Sequence, residues 1–115
     1  KDTRQISKEI IDLTDRARNA KLKPEDLSNG TFTISNLGMY GIDRFTAIIN
    51  PPQSAILAVG KMNRCFVPTD SNIPAIQKII TFKLSADHRV MDGVQAAKFL
   101  SDLKNIISEP NVLLK

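Results

Sequence analysis

Residues 75–108 read AIQKIITFKLSADHRVMDGVQAAKFLSDLKNIIS, and this stretch sets the architecture. Its first part, Ala75–Ala86, carries Ile79, Ile80, Phe82 and Leu84 and predicts the longest strand. Its last part, from about residue 93 to 108, spaces Val94, Ala97, Leu100, Leu103 and Ile107 three or four apart. That period predicts an amphipathic helix, which Pro110 ends. Between them, Asp87-His88-Arg89-Val90-Met91-Asp92-Gly93 breaks both patterns. A loop held between a rigid strand and a rigid helix commonly carries function.

The rest of the chain reads outward from this unit. Ser54–Gly60 predicts a second apolar strand, and the pattern allows it to continue past Gly60 as far as Val67. Pro68–Pro74 is a polar turn. Phe45–Ile49 predicts a short strand closed by Asn50-Pro51-Pro52, because proline supplies no backbone donor to a ladder. After the Asn29-Gly30 turn, Thr31–Ser35 alternates and is rich in β-branched residues, so it predicts another strand. A loop with two glycines follows, Asn36–Gly41.

Residues 2–22 predict an amphipathic helix striped by Ile6, Ile10, Leu13, Ala17 and Ala20. Asp2 or Thr3 caps its start, Lys21 and Lys23 suit its end, and Pro24 stops it. Pro24–Leu27 then allows one short further turn, and Val112–Leu114 forms an apolar tail. The order is helix, about four strands, helix, with no repeat or linker. This predicts one α/β (α+β) two-layer domain over residues 1–115, a mixed β-sheet covered by helices.

Composition bounds what such a domain does. A chain of 115 residues should bury roughly two-thirds of its unfolded surface. Its 42% hydrophobic and 24% charged residues are ordinary for a globular domain. The net charge of +4 is concentrated at the start, where basic and acidic residues interleave along the helix. Without a run of like charge this reads as a solvated face, not a nucleic-acid or membrane patch, although it suits an anionic ligand. Cys65 is the only cysteine, which excludes an intrachain disulfide and fits a reducing compartment; its plainest reading is a semi-buried apolar residue. One histidine and one cysteine argue against a metal site. No apolar stretch is long enough to span a bilayer, and no signal peptide is visible. The chain begins inside a helical pattern without an initiator methionine, as expected of a piece of a longer protein.

His88 is the candidate base. Free imidazole has a pKa near ~6.5 and accepts a proton at low cost near neutrality. By residue type alone, a lone histidine is more often a bystander, and Arg89, Asp92 and Gly93 shift that only modestly. Ser35, at the end of its strand, reads most simply as a hydroxyl bonded to its own backbone. Gly38 and Gly41 read as turn residues, since no phosphate-loop pattern surrounds them.

Three segments together carry more. Asp87–Gly93 resembles the active-site signature of the dihydrolipoamide acyltransferases. Ser35-Asn36-Leu37-Gly38-Met39-Tyr40-Gly41 and residues Ile48–Gly60 resemble two further segments of that family, in the right order. Leu22-Lys23-Pro24-Glu25 and the Phe32–Ser35 strand also fit. The wording after Ser35 and at Asn50–Ser54 is most similar to the pyruvate-type members; the branched-chain and 2-oxoglutarate types usually read differently there, and their acyl specificity is the alternative. The resemblance covers the carboxyl-terminal half of that catalytic domain and implies a partial chloramphenicol-acetyltransferase-like fold. It implies transfer of an acetyl group from S-acetyldihydrolipoamide, carried on a separate lipoyl domain, to coenzyme A as the second substrate, without a metal.

In residue terms the resemblance implies His88 as general base and Ser35 as hydrogen-bond donor to the developing oxyanion. Asp92, an asparagine in some members, or Asp87 would organise the histidine loop, and the sequence does not choose between them. Asn36 and Gly38 are carried over as substrate-binding positions. The resemblance further implies a homotrimer whose active sites lie between subunits, His88 of one facing Ser35 of the next. Such trimers build a cubic or dodecahedral core that receives the dehydrogenase and dihydrolipoamide dehydrogenase subunits. A eukaryotic member is expected in the mitochondrial matrix and a bacterial one in the cytoplasm. Half a catalytic domain is expected to be inactive alone.

Three other readings compete. A catalytically silent core or binding homologue would tend to lose the histidine, whereas Asp87, His88 and Asp92 are all present. An antibiotic acetyltransferase of the chloramphenicol type fits Asn50–Gly60 and Arg89 poorly. A basic nucleic-acid-binding domain lacks clustered Lys or Arg and exposed aromatics.

Overall fold

The strand Ala55–Val59 organises the observed fold of the computed structural model, which describes residues 1–114. All five of its residues are buried, between 2% and 9% exposed, on both faces. An uninterrupted apolar run with no polar alternation suits a strand flanked on both edges. We number the strands in chain order: β1 Thr33–Asn36, β2 Ala55–Val59, β3 Asn63–Pro68, β4 Pro74–Ile79 and β5 Phe82–Ala86. The helices are α1 Thr3–Arg18 and α2 Gly93–Ser108, with short 3₁₀ turns at Pro24–Leu27, Gly38–Tyr40 and Pro110–Leu114.

In the unit Thr31–Ala96, β2 lies between β1 and β5. It runs parallel to β1, with Ser35 opposite Ala58, and antiparallel to β5, with Ala55 opposite Ala86. The sheet is therefore mixed, as the sequence predicts. β3 and β4 form a separate antiparallel hairpin, Phe66 facing Ile76.

Three expectations are corrected. Ala75–Ala86 is two strands, not one. The chain leaves the hairpin at Ile80–Thr81 and enters the three-stranded sheet, where the Thr81 carbonyl accepts the Gly60 N–H at 3.1 Å. The matching break at Gly60–Met62 separates β2 from β3, so no strand runs through to Val67. Phe45–Ile49 is not a strand among the described residues. Its flanks are pinned elsewhere: Ile42 O accepts from Lys61 N at 2.7 Å, and Asn50 O accepts from Gln53 N at 2.9 Å. β-propensity without a neighbouring ladder does not make a strand.

The other unit comprises Lys1–Gly30 and Ala97–Lys115, of which residues to 114 are described. α1 starts at Asp2, whose carboxylate accepts the Gln5 N–H at 2.8 Å. It ends earlier than the predicted residue 22, because Ala20 turns to φ 54 and the chain reverses there. Arg16 forks onto Asp26, which also accepts the Lys23 N–H at 2.8 Å, so helix and 3₁₀ turn are tied together. The Arg16 guanidinium, then the Lys23 N–H, hold the Asp26 carboxyl below the usual carboxylate range. Of the apolar tail, the side chains of Val112 and Leu114 fall outside the described residues, and Leu113 is exposed.

Burial falls short of expectation. The accessible surface is 9571 Å², against roughly 6,200 Å² for a folded monomer of this mass and roughly 18,000 Å² unfolded. About half of the unfolded surface is buried, not two-thirds. The buried core is β2 itself, while large apolar side chains such as Ile48, Phe66 and Met39 stay exposed.

Candidate active site

β5 delivers the chain to the histidine loop. The Asp87 N–H donates to Ser54 O at 2.7 Å, which extends the β2–β5 pairing by one step. The chain then turns: the Asp87 carbonyl accepts from Val90 N at 3.0 Å and from Met91 N at 2.9 Å. The Asp87 carboxylate accepts three bonds from Arg89: backbone N and Nε to Oδ1, both at 3.0 Å, and Nη2 to Oδ2 at 2.9 Å. The Arg89 side chain first, then its backbone N–H, hold the Asp87 carboxyl below the usual carboxylate range.

Asp92 has a different task. Its Oδ1 accepts the Gln95 N–H at 2.8 Å, and Gln95 Oε1 accepts the Asp92 N–H at 3.0 Å. This reciprocal pair is a capping box at the start of α2. Asp92→Ala is therefore expected to cost about 1 kcal/mol of stability, whereas Asp92→Asn, which keeps the accepting oxygen, costs a few tenths. Chemical denaturation of the two variants checks this.

His88 is left exposed between these two fixed points, and its imidazole has no hydrogen bond or ion pair among the described residues. It lines an open groove of about 500 Å³ with Ile49, Pro51, Pro52 and Gln53 on one side and Ala86, Asp87 and Arg89 on the other. Gln53 is positioned from below: its Oε1 accepts the Thr33 hydroxyl of β1. A half-apolar groove with an unengaged imidazole at its wall can admit a narrow chain and take a proton from it.

Ser35 is not in this groove. It sits half-buried in β1, opposite Ala58. Because β1 is parallel and β5 antiparallel to β2, Ser35 lies toward one end of the sheet and His88 beyond the other. Three residues along β2 are about 10 Å, and β1 and β5 are two strand spacings apart, again about 10 Å. One chain therefore does not bring the two side chains onto a common atom. Asn36 and Gly38 belong to the Ser35 end. Asn36 Oδ1 accepts the Gly38 N–H at 2.9 Å. A Cβ on Gly38 would lie 3.0 Å from Gly60 O, so this glycine permits close backbone packing.

The groove contains residues that the sequence did not single out as site residues. Ile49, Pro51, Pro52 and Gln53 come together with His88 only through the β2–β5 register. The Arg89 grip on Asp87 has a sequence signal, an acid and an arginine two apart in a turn, but that signal is common.

The whole chain, residues 1–115, matches the family described as 2-oxoacid dehydrogenases acyltransferase (catalytic domain). The chain belongs to this acyltransferase family. A relative in Schizosaccharomyces pombe is the mitochondrial dihydrolipoyllysine-residue acetyltransferase component of pyruvate dehydrogenase complex. It is 51% identical over 108 residues, covering 92% of this chain and 22% of the relative. The solved cubic core of the pyruvate dehydrogenase multienzyme complex superposes with a TM-score of 0.92 at 34% identity, over 100% of this chain and 47% of that one. The dihydrolipoamide acetyltransferase of Azotobacter vinelandii superposes with a TM-score of 0.89 at 35% identity, over 96% of this chain and 45% of that one. That enzyme's catalytic mechanism was investigated through a serine, a histidine and an asparagine, the asparagine four positions after the histidine, as Asp92 follows His88. The chain thus spans about a fifth of the yeast relative and just under half of the solved acyltransferase cores.

Proposed function

We propose that residues 1–115 are the carboxyl-terminal half of an acyltransferase catalytic domain, and that the protein containing it moves an acetyl group from S-acetyldihydrolipoamide to coenzyme A. The observation that carries this reading is the unengaged imidazole of His88 at the wall of an open groove, in a chain of the 2-oxoacid dehydrogenase acyltransferase family.

The chemistry follows from the groups present. His88 takes the proton of the coenzyme A thiol as the sulfur attacks the thioester carbonyl. Between a free thiol and free imidazole in water such a transfer runs roughly two pH units uphill, a cost that positioning offsets. A C–S bond forms, the carbonyl electrons move to oxygen, and the Ser35 hydroxyl donates to that oxyanion. The oxyanion collapses, the C–S bond to dihydrolipoamide breaks, and the leaving thiolate recovers the proton from His88. No acyl group is attached to the protein, and no metal takes part.

The separation of Ser35 from His88 within one chain supports a site shared by two subunits, with His88 from one and Ser35 from its neighbour. The superposition on a cubic core supports a trimer that builds a larger core, on which the dehydrogenase and dihydrolipoamide dehydrogenase components assemble. On this reading residues 1–115 alone are inactive. The protein works in the mitochondrial matrix in a eukaryote and in the cytoplasm in a bacterium; the yeast relative is named as mitochondrial.

Ser35→Ala in the full-length assembled protein is expected to lower kcat about 100-fold while the Michaelis constant for coenzyme A changes little, because one oxyanion donor is lost only in the transition state. Steady-state kinetics check it. Unchanged kcat would remove Ser35 from the mechanism.

A further inference from the structure

We infer that Arg89 is a positioning residue for His88: it occupies both oxygens of the Asp87 carboxylate and so keeps that acid from acting on the imidazole next to it. The inference rests on the reading of His88 as the base. It concerns a different residue, whose failure can be told apart from failure of that reading.

Every polar group of Asp87 is engaged. Its N–H is on Ser54 O, its carbonyl is on the Val90 and Met91 N–H groups, and its carboxylate is on three N–H groups of Arg89. The carboxylate is only 21% exposed, whereas the arginine that holds it is 89% exposed. The half-buried partner is thus fixed by a residue that contributes little packing of its own. Among the described residues lining the groove, Asp87 and Arg89 are the only charged side chains beside His88. The remaining wall, Ile49, Pro51, Pro52, Gln53 and Ala86, is uncharged.

This arrangement has a consequence for a base. A free carboxylate one residue away favours the protonated imidazole, which cannot accept a thiol proton. A carboxylate already matched by a two-nitrogen guanidinium fork exerts little net field. The same three bonds close the turn from residue 87 to 89, so the direction in which His88 leaves the backbone is set along with its charge environment.

The test uses the full-length assembled protein with Arg89→Ala, Arg89→Lys, Asp87→Asn with Arg89→Ala, and His88→Ala as reference. Arg89→Ala is expected to lower kcat about tenfold with less than a twofold change in the Michaelis constant for coenzyme A. It is also expected to move the acid limb of the kcat/KM profile to higher pH. Arg89→Lys keeps the cation and is expected to hold the acid limb in place with an intermediate kcat. The double variant lacks the freed carboxylate and is expected to return the acid limb to its wild-type position. A wild-type kcat and pH profile for Arg89→Ala overturns the inference. So does a fall in kcat accompanied by a lower melting temperature and an unmoved acid limb, which assigns Arg89 to structure alone. Retained activity in His88→Ala would instead overturn the reading of the base.

Discussion

Replacing His88 by alanine in the assembled full-length protein is expected to lower kcat by on the order of 10³, the middle of the range for loss of a general base. The groove and the loop that holds the histidine survive the change. The loop is closed by Asp87, Arg89 and the capping box of Asp92, none of which bonds the imidazole. An exposed side chain without partners contributes little to stability, so the melting temperature should move by no more than about two degrees. The two measurements together separate chemistry from folding. A thiol already ionised at high pH needs no base, so the deficit should narrow as pH rises toward the thiol pKa near ~8.5. Steady-state rates across that pH range provide the check, and a deficit that stays constant would point to a role other than proton removal.

Gly60→Ala is expected to be the most damaging substitution in the fold, costing about 3 kcal/mol or more. Gly60 ends the buried strand β2, where the chain bearing Ile42 and Asp43 crosses it. A Cβ there would sit 1.9 Å from Asp43 O and 2.6 Å from Asp43 C. Both are backbone atoms, so no side-chain rotation relieves the clash. The crossing is also fixed by hydrogen bonds, Lys61 N to Ile42 O at 2.7 Å and Gly60 N to Thr81 O at 3.1 Å. Relief for the methyl group requires one of these to give way. Gly41→Ala is the appropriate contrast: its φ of 76 is left-handed, but nothing lies within 4 Å of a Cβ. That change should cost about 1 kcal/mol, from backbone strain alone. Urea denaturation of both variants checks the ranking; a Gly60→Ala cost below that of Gly41→Ala would contradict it.

The sequence shows the outline of this molecule more clearly than its connections. Both helices, the short turn after Pro24 and the break at Asp87–Gly93 are legible because period and punctuation agree there. The division of Ala75–Ala86 into β4 and β5 is not, because Ile79, Ile80 and Phe82 continue the apolar run across the junction. What divides them is a change of pairing partner, set by Gly60 and Thr81 across the sheet. Phe45–Ile49 has strand composition but lacks a described ladder, since its ends are held at Ile42 and Asn50. At the site, the position of His88 is legible and its groove is not, because Ile49–Gln53 reaches it through long-range register. The distance between Ser35 and His88 follows from one strand being parallel and the other antiparallel to β2, which composition does not encode.

That distance makes subunit complementation the most direct test of the account. Full-length His88→Ala and Ser35→Ala proteins, each nearly inactive, are dissociated, mixed in equal amounts and reassembled. If each site takes His88 from one subunit and Ser35 from its neighbour, random mixing leaves about a quarter of the sites with both side chains. Acetyl transfer should then return to about a quarter of the wild-type rate, well above either variant reassembled alone. If the two residues serve one site within a single chain, no mixed particle contains an intact site. Activity that stays at the level of the separate variants would contradict the shared site.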